Sequence, residues 1–126
     1  MAVQLNHTIV AARDKRASAT FLAEILGLPQ PTPFGQFLAV QADNDVTLDF
    51  MDTGGPITGQ HYAFLVTEAE FDQILGRVRE RGLTYWADPG HSRANEINTR
   101  DGGRAIYFDD PVGHNLEALT RPYGSG

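Results

Sequence analysis

Two histidines and two acidic residues occupy corresponding places in the two halves of this 126-residue sequence. His7 and His61 each lie in the first predicted strand of a half, ahead of a predicted helix. Asp49 and Glu117 each lie in an apolar strand, 14 residues after a glycine that opens a hairpin. Two imidazoles and a carboxylate, with further positions left for water or substrate, form a ligand set that suits a divalent metal such as Fe(II).

The elements that would position these side chains repeat along the chain. Runs rich in β-branched residues predict strands, and apolar residues three and four apart predict helices. In the first half the predicted elements are a strand at 3–11, a helix capped by Asp14, and strands at 34–42 and 46–52. In the second they are a strand at 61–67, a helix opened by the capping box Thr67-Glu68-Ala69-Glu70, and strands at 84–87, 104–109 and 115–120. The second half thus reads β-α-β-β-β and the first half has the same order with one strand fewer, which predicts one α+β domain of two βαβββ modules, at about 1–55 and 59–126.

A duplicated fold places equivalent positions opposite each other, so the two histidines and the two acids are expected to converge. We therefore predict that His7, His61 and Glu117 bind one metal ion, with Fe(II) preferred and Mn, Ni, Co or Zn also acceptable. Asp49 is one methylene shorter than Glu117, so water-mediated ligation, substrate binding and proton acceptance all stay open for it. The alternative for each histidine is a structural role, and Glu117 could instead point to solvent from an edge strand.

The irregular stretch 89–103 is longer than a typical connection and is predicted to cover the site as a lid. Arg100 in this stretch is a candidate contact for an anionic substrate, and a solvated loop with surface charges is the alternative. His91 and His114 are predicted not to bind metal. We expect His114, in the turn at 110–114, to shape that turn or to make a surface hydrogen bond.

Composition excludes several classes of function. The net charge is −6 without any basic cluster, so a nucleic-acid partner is not expected. The absence of cysteine excludes disulfides, thiolate metal ligands and cysteine nucleophiles. No apolar run approaches the roughly 20 residues that cross a bilayer, so no membrane partner is expected. The N-terminal residues lack the pattern of an export signal, and the protein is expected to be cytoplasmic.

The sequence resembles the vicinal oxygen chelate superfamily, which includes glyoxalase I, fosfomycin-resistance transferases, bleomycin-binding proteins and extradiol dioxygenases. The resemblance rests on three segments: Asn6-His7-Thr8-Ile9, Gln60-His61-Tyr62-Ala63-Phe64, and Tyr107-Phe108-Asp109-Asp110-Pro111-Val112-Gly113-His114-Asn115-Leu116-Glu117. It implies paired βαβββ modules that form a cup-shaped half-barrel, with His7, His61 and Glu117 as metal ligands. It also implies that Tyr107 faces the substrate and that the protein is a homodimer.

Within the superfamily, segments 62–66, 85–89 and 120–124 are similar to a subgroup related to the oxygenase of chartreusin antibiotic biosynthesis. This resemblance implies an Fe(II)-dependent dioxygenase that acts on an aromatic substrate, such as a catechol, a hydroxyquinone or a polyketide, with two neighbouring oxygens on the metal. In that reaction Tyr107 would act as an acid or hydrogen-bond donor, Asp49 would accept a phenol proton, and Trp86 would contact the planar substrate. The alternatives are a glyoxalase-type isomerase, a thiol transferase and a metal-free antibiotic-binding protein.

Overall fold

The first unit is a four-stranded sheet with one helix. Its elements are β1 (His7–Ala12), α1 (Lys15–Leu26), β2 (Thr32–Phe34), β3 (Phe37–Gln41) and β4 (Thr47–Asp52). The strand order is β1-β4-β3-β2, with β1 parallel to β4 and the other pairs antiparallel. These coordinates come from a computed structural model that describes residues 3–124, so the ends of the two predicted modules, Met1, Ala2, Ser125 and Gly126, lie outside the described residues.

The second unit begins at Gly59, where the chain divides by its internal contacts. Its elements are β5 (His61–Leu65), α2 (Glu68–Glu80), a short 3-10 turn (Arg100–Gly102), β6 (Ala105–Asp109) and β7 (Asn115–Leu119). The strand order is β5-β7-β6, with β5 parallel to β7 and β6 antiparallel to it. The α+β class predicted from the sequence is confirmed. Over residues 3–124, neither helix has the length and apolar character needed to cross a bilayer.

The helices form where capping and periodicity predict them. The Asp14 side chain accepts the N–H groups of Arg16 and Ala17, which satisfies two of the donors that every helix start leaves unpaired. The Thr67 and Glu70 capping box is present at the start of α2. Each helix buries one face in its unit, and the fully packed apolar side chains include Leu22 and Ile25 in α1 and Phe71, Ile74 and Val78 in α2.

The strand registers of the two units match. Each unit pairs its first strand in parallel with its last, and each pairs that last strand with an antiparallel neighbour. The equivalent pairs are His7 with Thr47 and Ile9 with Asp49 in the first unit, and His61 with Asn115 and Ala63 with Glu117 in the second. These registers agree with the correspondence of His7 with His61 and of Asp49 with Glu117.

Three predicted strands were wrong in their extent. The strand predicted at 3–11 runs from His7 to Ala12. The stretch predicted as one strand at 34–42 contains the end of β2, a turn and β3, because Gly35 adopts a φ of 58° and reverses the chain between β2 and β3. Pro33 is tolerated in β2 because this strand lies at the edge of its sheet. In place of the predicted strand at 84–87, only Trp86 forms β-bridges, one to Tyr107 and one to Ala94. The pairing ends there because the next residues form a turn in which Asp88 accepts backbone N–H groups.

His114 shapes its turn, as one of the two predicted alternatives had it, but it is buried, so the alternative of a surface hydrogen bond was wrong. Its ring is 1% exposed, and its Nδ1 atom accepts the Gln60 N–H at 3.0 Å. The Tyr62 ring lies edge-on to it at 5.7 Å between centroids. Asp110 accepts the N–H of His114 itself, and burial raises the pKa of this aspartate above its usual value despite those hydrogen bonds. The turn at 110–114 therefore links the first residues of β5 to those of β7 through the hydrogen bonds of His114.

We expect His114→Ala to lower the free energy of unfolding by about 2–4 kcal/mol, because it removes a buried ring and leaves the Gln60 N–H without that acceptor. Urea unfolding measures the change. The control is His91→Ala, which removes a partly exposed ring and should cost about 1 kcal/mol or less. Similar small losses in both variants would contradict the assigned role of His114.

Candidate metal centre

His61 and Glu117 meet on one face of the second sheet. Ala63 on β5 pairs with Glu117 on β7, and His61 lies two residues before Ala63, so the two functional side chains point to the same side. His61 Nε2 and Glu117 Oε1 are 3.0 Å apart. The glutamate side chain is only 11% exposed, whereas the histidine side chain is 44% exposed. A nearly buried carboxylate therefore lies against an imidazole that solvent can reach.

The spacing of these two atoms fits a metal. Nitrogen and oxygen ligands bind first-row divalent ions at about 2.1 Å, so ligand atoms at adjacent corners of an octahedron lie about 3 Å apart. Without a metal, the imidazole must donate its Nε2 proton to the carboxylate, since an ionised carboxylate only accepts. A divalent cation would take the place of that proton and would also offset the cost of burying Glu117. The pair therefore fits a divalent metal.

Tyr107 lies beside this pair. It occupies the β6 position opposite Glu117, and its ring centroid is 5.8 Å from that of His61. Burial raises the pKa of Tyr107 to about 12, and the negative charge of Glu117 and a hydrogen bond to it contribute further. The phenol therefore keeps its proton at neutral pH and is a hydrogen-bond donor.

The first unit carries His7 and Asp49 on one face of its sheet, because Ile9 pairs with Asp49. His7 is exposed, and its Nδ1 atom lies 2.8 Å from Asn6 Oδ1. An amide oxygen accepts a proton from Nδ1, which leaves Nε2 as the basic nitrogen that a metal requires. Asp49 is 6% exposed, and its Oδ1 atom has no hydrogen-bond partner within the described part of the chain. A water molecule, a proton, a cation or a substrate group could supply the partner that this buried carboxylate oxygen requires.

Neither unit by itself groups three or more His, Asp or Glu side chains for a metal, over residues 3–124. His61 and Glu117 are in contact in the second unit, whereas His7 and Asp49 share a sheet face in the first. The three predicted ligands are thus divided between the units.

Trp86 is tied to the same sheet face as Tyr107. The two residues exchange backbone hydrogen bonds of 2.8 and 2.9 Å. The His91 ring stacks on the indole at 3.6 Å with an interplanar angle of 3°, and its Nε2 atom lies 3.3 Å from Asn115 Oδ1. One face of Trp86 is therefore covered by His91, and only the other could receive a planar ligand. Sequence patterns gave no signal for this stack, because it depends on a left-handed backbone at His91, where φ is 58°.

The stretch that holds Arg100 folds back on its own unit. Asn98 pairs with Ala105 through both backbone hydrogen bonds, and its side chain donates to the Ala87 carbonyl at 3.0 Å. Arg100 lines a cleft of about 100 Å³ that also includes Tyr107 and Glu117. The lid role remains a prediction. The hydrogen bonds of Asn98 attach the loop to Ala87 before it and to Ala105 after it.

A family model described as the Glyoxalase/Bleomycin resistance protein/Dioxygenase superfamily matches residues 4–118. The chain belongs to this superfamily. Two solved structures, Oxidase ChaP-H1 and Oxidase ChaP-H2, are 67% and 66% identical to it, with TM-scores of 0.96 and 0.97. The first match covers 98% of this chain and 99% of the oxidase, and the second covers 100% and 99%. The predicted likeness to chartreusin-pathway enzymes is therefore confirmed.

A curated relative, the glutathione transferase FosA of Serratia marcescens, is 32% identical over 124 residues, covering 93% of this chain and 80% of that protein. Superfamily members of this kind depend on metal, which supports a divalent metal here as well. The matches as a whole support an enzyme of the superfamily with an oxygenase-type role.

We expect Glu117→Gln to weaken the binding of Co(II) or Zn(II) by about 100-fold or more, because it removes the buried negative charge that faces His61. Competition with a chromophoric chelator measures the affinity. Asp109→Asn is the matched control, since Asp109 lies on the same sheet face opposite Asn115 but is not a predicted ligand. Equal affinities for the two variants would remove Glu117 from the metal centre.

Proposed function

We propose that the chain is an Fe(II)-dependent dioxygenase of an aromatic substrate that chelates the metal through two neighbouring oxygens. The metal would be held by His7, His61 and Glu117, and Mn, Ni, Co or Zn could occupy the same ligands. The observation that carries the proposal is the 3.0 Å contact of His61 with Glu117 beside a protonated Tyr107, in a chain 67% identical to an oxidase. Two imidazoles and one carboxylate leave coordination positions for a chelating substrate and dioxygen.

Bound Fe(II) would act as a Lewis acid and supply the one-electron chemistry that dioxygen requires. The roles of the chain concern protons. Tyr107 would donate its phenol hydrogen bond to a substrate oxygen that becomes more negative during the reaction, because its raised pKa keeps the proton in place. Asp49 would accept a phenol proton from the arriving substrate, since its buried Oδ1 atom has no donor among the described residues.

Substrate contacts would involve Trp86 and Arg100. The uncovered face of the indole would lie against the planar ring system, because aromatic rings stack favourably when offset. Arg100 would contact an anionic part of the substrate. Aromatic polyketides are a class that combines neighbouring oxygens with a planar ring system, so they remain our preferred substrates.

We also propose that the protein is a cytoplasmic homodimer. Leu5, Ile9 and Leu65 are 70%, 51% and 63% exposed, and apolar side chains at such exposure are common where another chain binds. Ile9 shares β1 with His7, Leu65 shares β5 with His61, and Leu5 lies two residues before His7, so an interface there would bear directly on the metal centre.

A thiol transferase is the second candidate, supported by the 32% identity to the glutathione transferase FosA. In that function the same residues would hold a metal that activates an electrophile toward a thiol. It differs from the first candidate in its co-substrate, since it consumes a thiol and no dioxygen.

We expect the Fe(II)-loaded protein to consume oxygen with at least one member of a panel of catechols and polyketide hydroquinones. Tyr107→Phe should lower kcat by about 10²–10⁴-fold and leave Fe(II) content unchanged, because it removes only the proton donor. An oxygen electrode and iron analysis on anaerobically prepared protein provide the two measurements.

No oxygen uptake with any diphenol, together with thiol addition or hemithioacetal isomerisation in the Mn, Ni or Zn form, would overturn the oxygenase proposal. Drug binding that chelators leave unchanged would instead indicate the metal-free binding protein.

A further inference from the structure

The cleft beside the candidate metal centre is small and rich in arginine. Its volume is about 100 Å³, and its walls include Tyr107 and Glu117 together with Arg100 and Arg121. A cleft of this volume has room for a group of several heavy atoms, so it can receive one substituent of a larger ligand.

The charge of the cleft opposes that of the whole protein. The chain has a net charge of −6, yet three of its arginines line this one cleft against two acids: Arg100, Arg104 and Arg121 against Asp101 and Glu117. A metal on Glu117 would offset one of those acids. Asp101 would then be the remaining acid in the lining of the cleft.

The three arginines differ in how they are engaged. The positive charge of Arg104 is neutralised by Glu68 at 2.8 Å and Asp72 at 2.9 Å. Its guanidinium also lies over the Phe71 ring. For Arg100, the described residues contain no acidic side chain in ion-pair contact with its guanidinium. An arginine that lines a cleft without an acidic partner is suited to an acidic ligand.

Two glycines in the turn that carries Arg100 leave room for the Arg121 side chain to pack against it. A Cβ atom at Gly102 would lie 2.8 Å from Arg121 Nη1, and one at Gly103 would lie 3.0 Å from Arg121 Cγ. The Arg121 side chain thus packs directly on this glycine pair. Asp101, held at a φ of 60°, accepts the Gly124 N–H at 2.9 Å and so fixes the segment that follows Arg121.

We propose that Arg100 and Arg121 bind a carboxylate carried by the aromatic substrate, so that the substrate is an aryl carboxylic acid. This inference rests on the proposed function, because it takes Tyr107 and Glu117 as the reacting end of the same site. The planar guanidinium matches a carboxylate with two parallel hydrogen bonds. The carboxylate would fill the cleft and fix the orientation of the ring system, whose neighbouring oxygens would then be held at the metal.

The test is a comparison of an acid with its neutral ester. Calorimetry on the Zn(II)-loaded protein, which performs no oxygen chemistry, would measure the binding of 6,7-dihydroxy-2-naphthoate, whose adjacent hydroxyls can chelate the metal while its carboxylate lies on the other ring, and of its methyl ester. We expect the acid to bind about 10-fold or more tightly than the ester, since a charge-assisted pair of hydrogen bonds is lost with the ester. In Arg100→Gln the ratio of the two affinities should fall to about 1–3, while the affinity for the ester stays the same.

Two further variants make this comparison decisive. Arg93→Gln is the matched control, because Arg93 is in the same loop but pairs with Glu96 and does not line the cleft. It should keep the preference for the acid. Arg121→Lys keeps the positive charge and the aliphatic part of the side chain that packs on the glycine pair. It should lower the preference, because lysine cannot form the bidentate contact.

Equal binding of acid and ester by the unaltered protein would overturn the inference, as would an unchanged preference in Arg100→Gln. The proposed function can fail separately. A preference for the acid that depends on Arg100, in a protein that consumes no oxygen with any diphenol, would support the carboxylate cleft and refute the oxygenase. Oxygen uptake with acid and ester alike, without any preference in binding, would support the oxygenase and refute the cleft.

Discussion

The parallel register of β5 on β7 is the constraint on which the second unit's chemistry depends. It places Ala63 opposite Glu117, and so brings His61 to the carboxylate on the same face. A slip of one residue would turn Glu117 to the opposite face, because side chains alternate along a strand. Burial of Leu116 and Ala118, at 3% and 0% exposure, opposes such a slip. The contact between His61 and Glu117 is therefore maintained by the core beneath it.

The duplicated scaffold carries unequal chemistry. Asp49 and Glu117 hold equivalent places, but the residue opposite Asp49 on β3 is Ala39, whereas the residue opposite Glu117 on β6 is Tyr107. Only in the second unit does a tyrosine lie opposite the acidic residue. The missing partner explains why Asp49 has a buried oxygen without a donor, while Glu117 is contacted by both an imidazole and a phenol. In a repeat of this kind, a change at one position is enough to give the two acids different surroundings.

Much of the fold and the pairing of the site residues could be predicted from the sequence. Caps and periodicity located both helices, and the spacing of histidine and acid anticipated the matching registers. The ends of the strands were harder to predict. Proline disfavours a strand unless the strand lies at a sheet edge, and the sequence does not show that Pro33 has such a position. The stack of His91 on Trp86 and the packing of Arg121 on Gly102 could not be predicted. Both depend on left-handed residues in loops, where no periodic pattern exists.

X-ray absorption spectroscopy of the Fe(II)-loaded protein measures most directly whether His7, His61 and Glu117 bind one metal. We expect nitrogen and oxygen neighbours at about 2.1 Å and the outer-shell scattering of two imidazoles. That scattering should fall to one imidazole in His7→Ala and again to one in His61→Ala. A spectrum with two imidazoles in either variant, or with none in the unaltered protein, would show that the three residues do not share one metal.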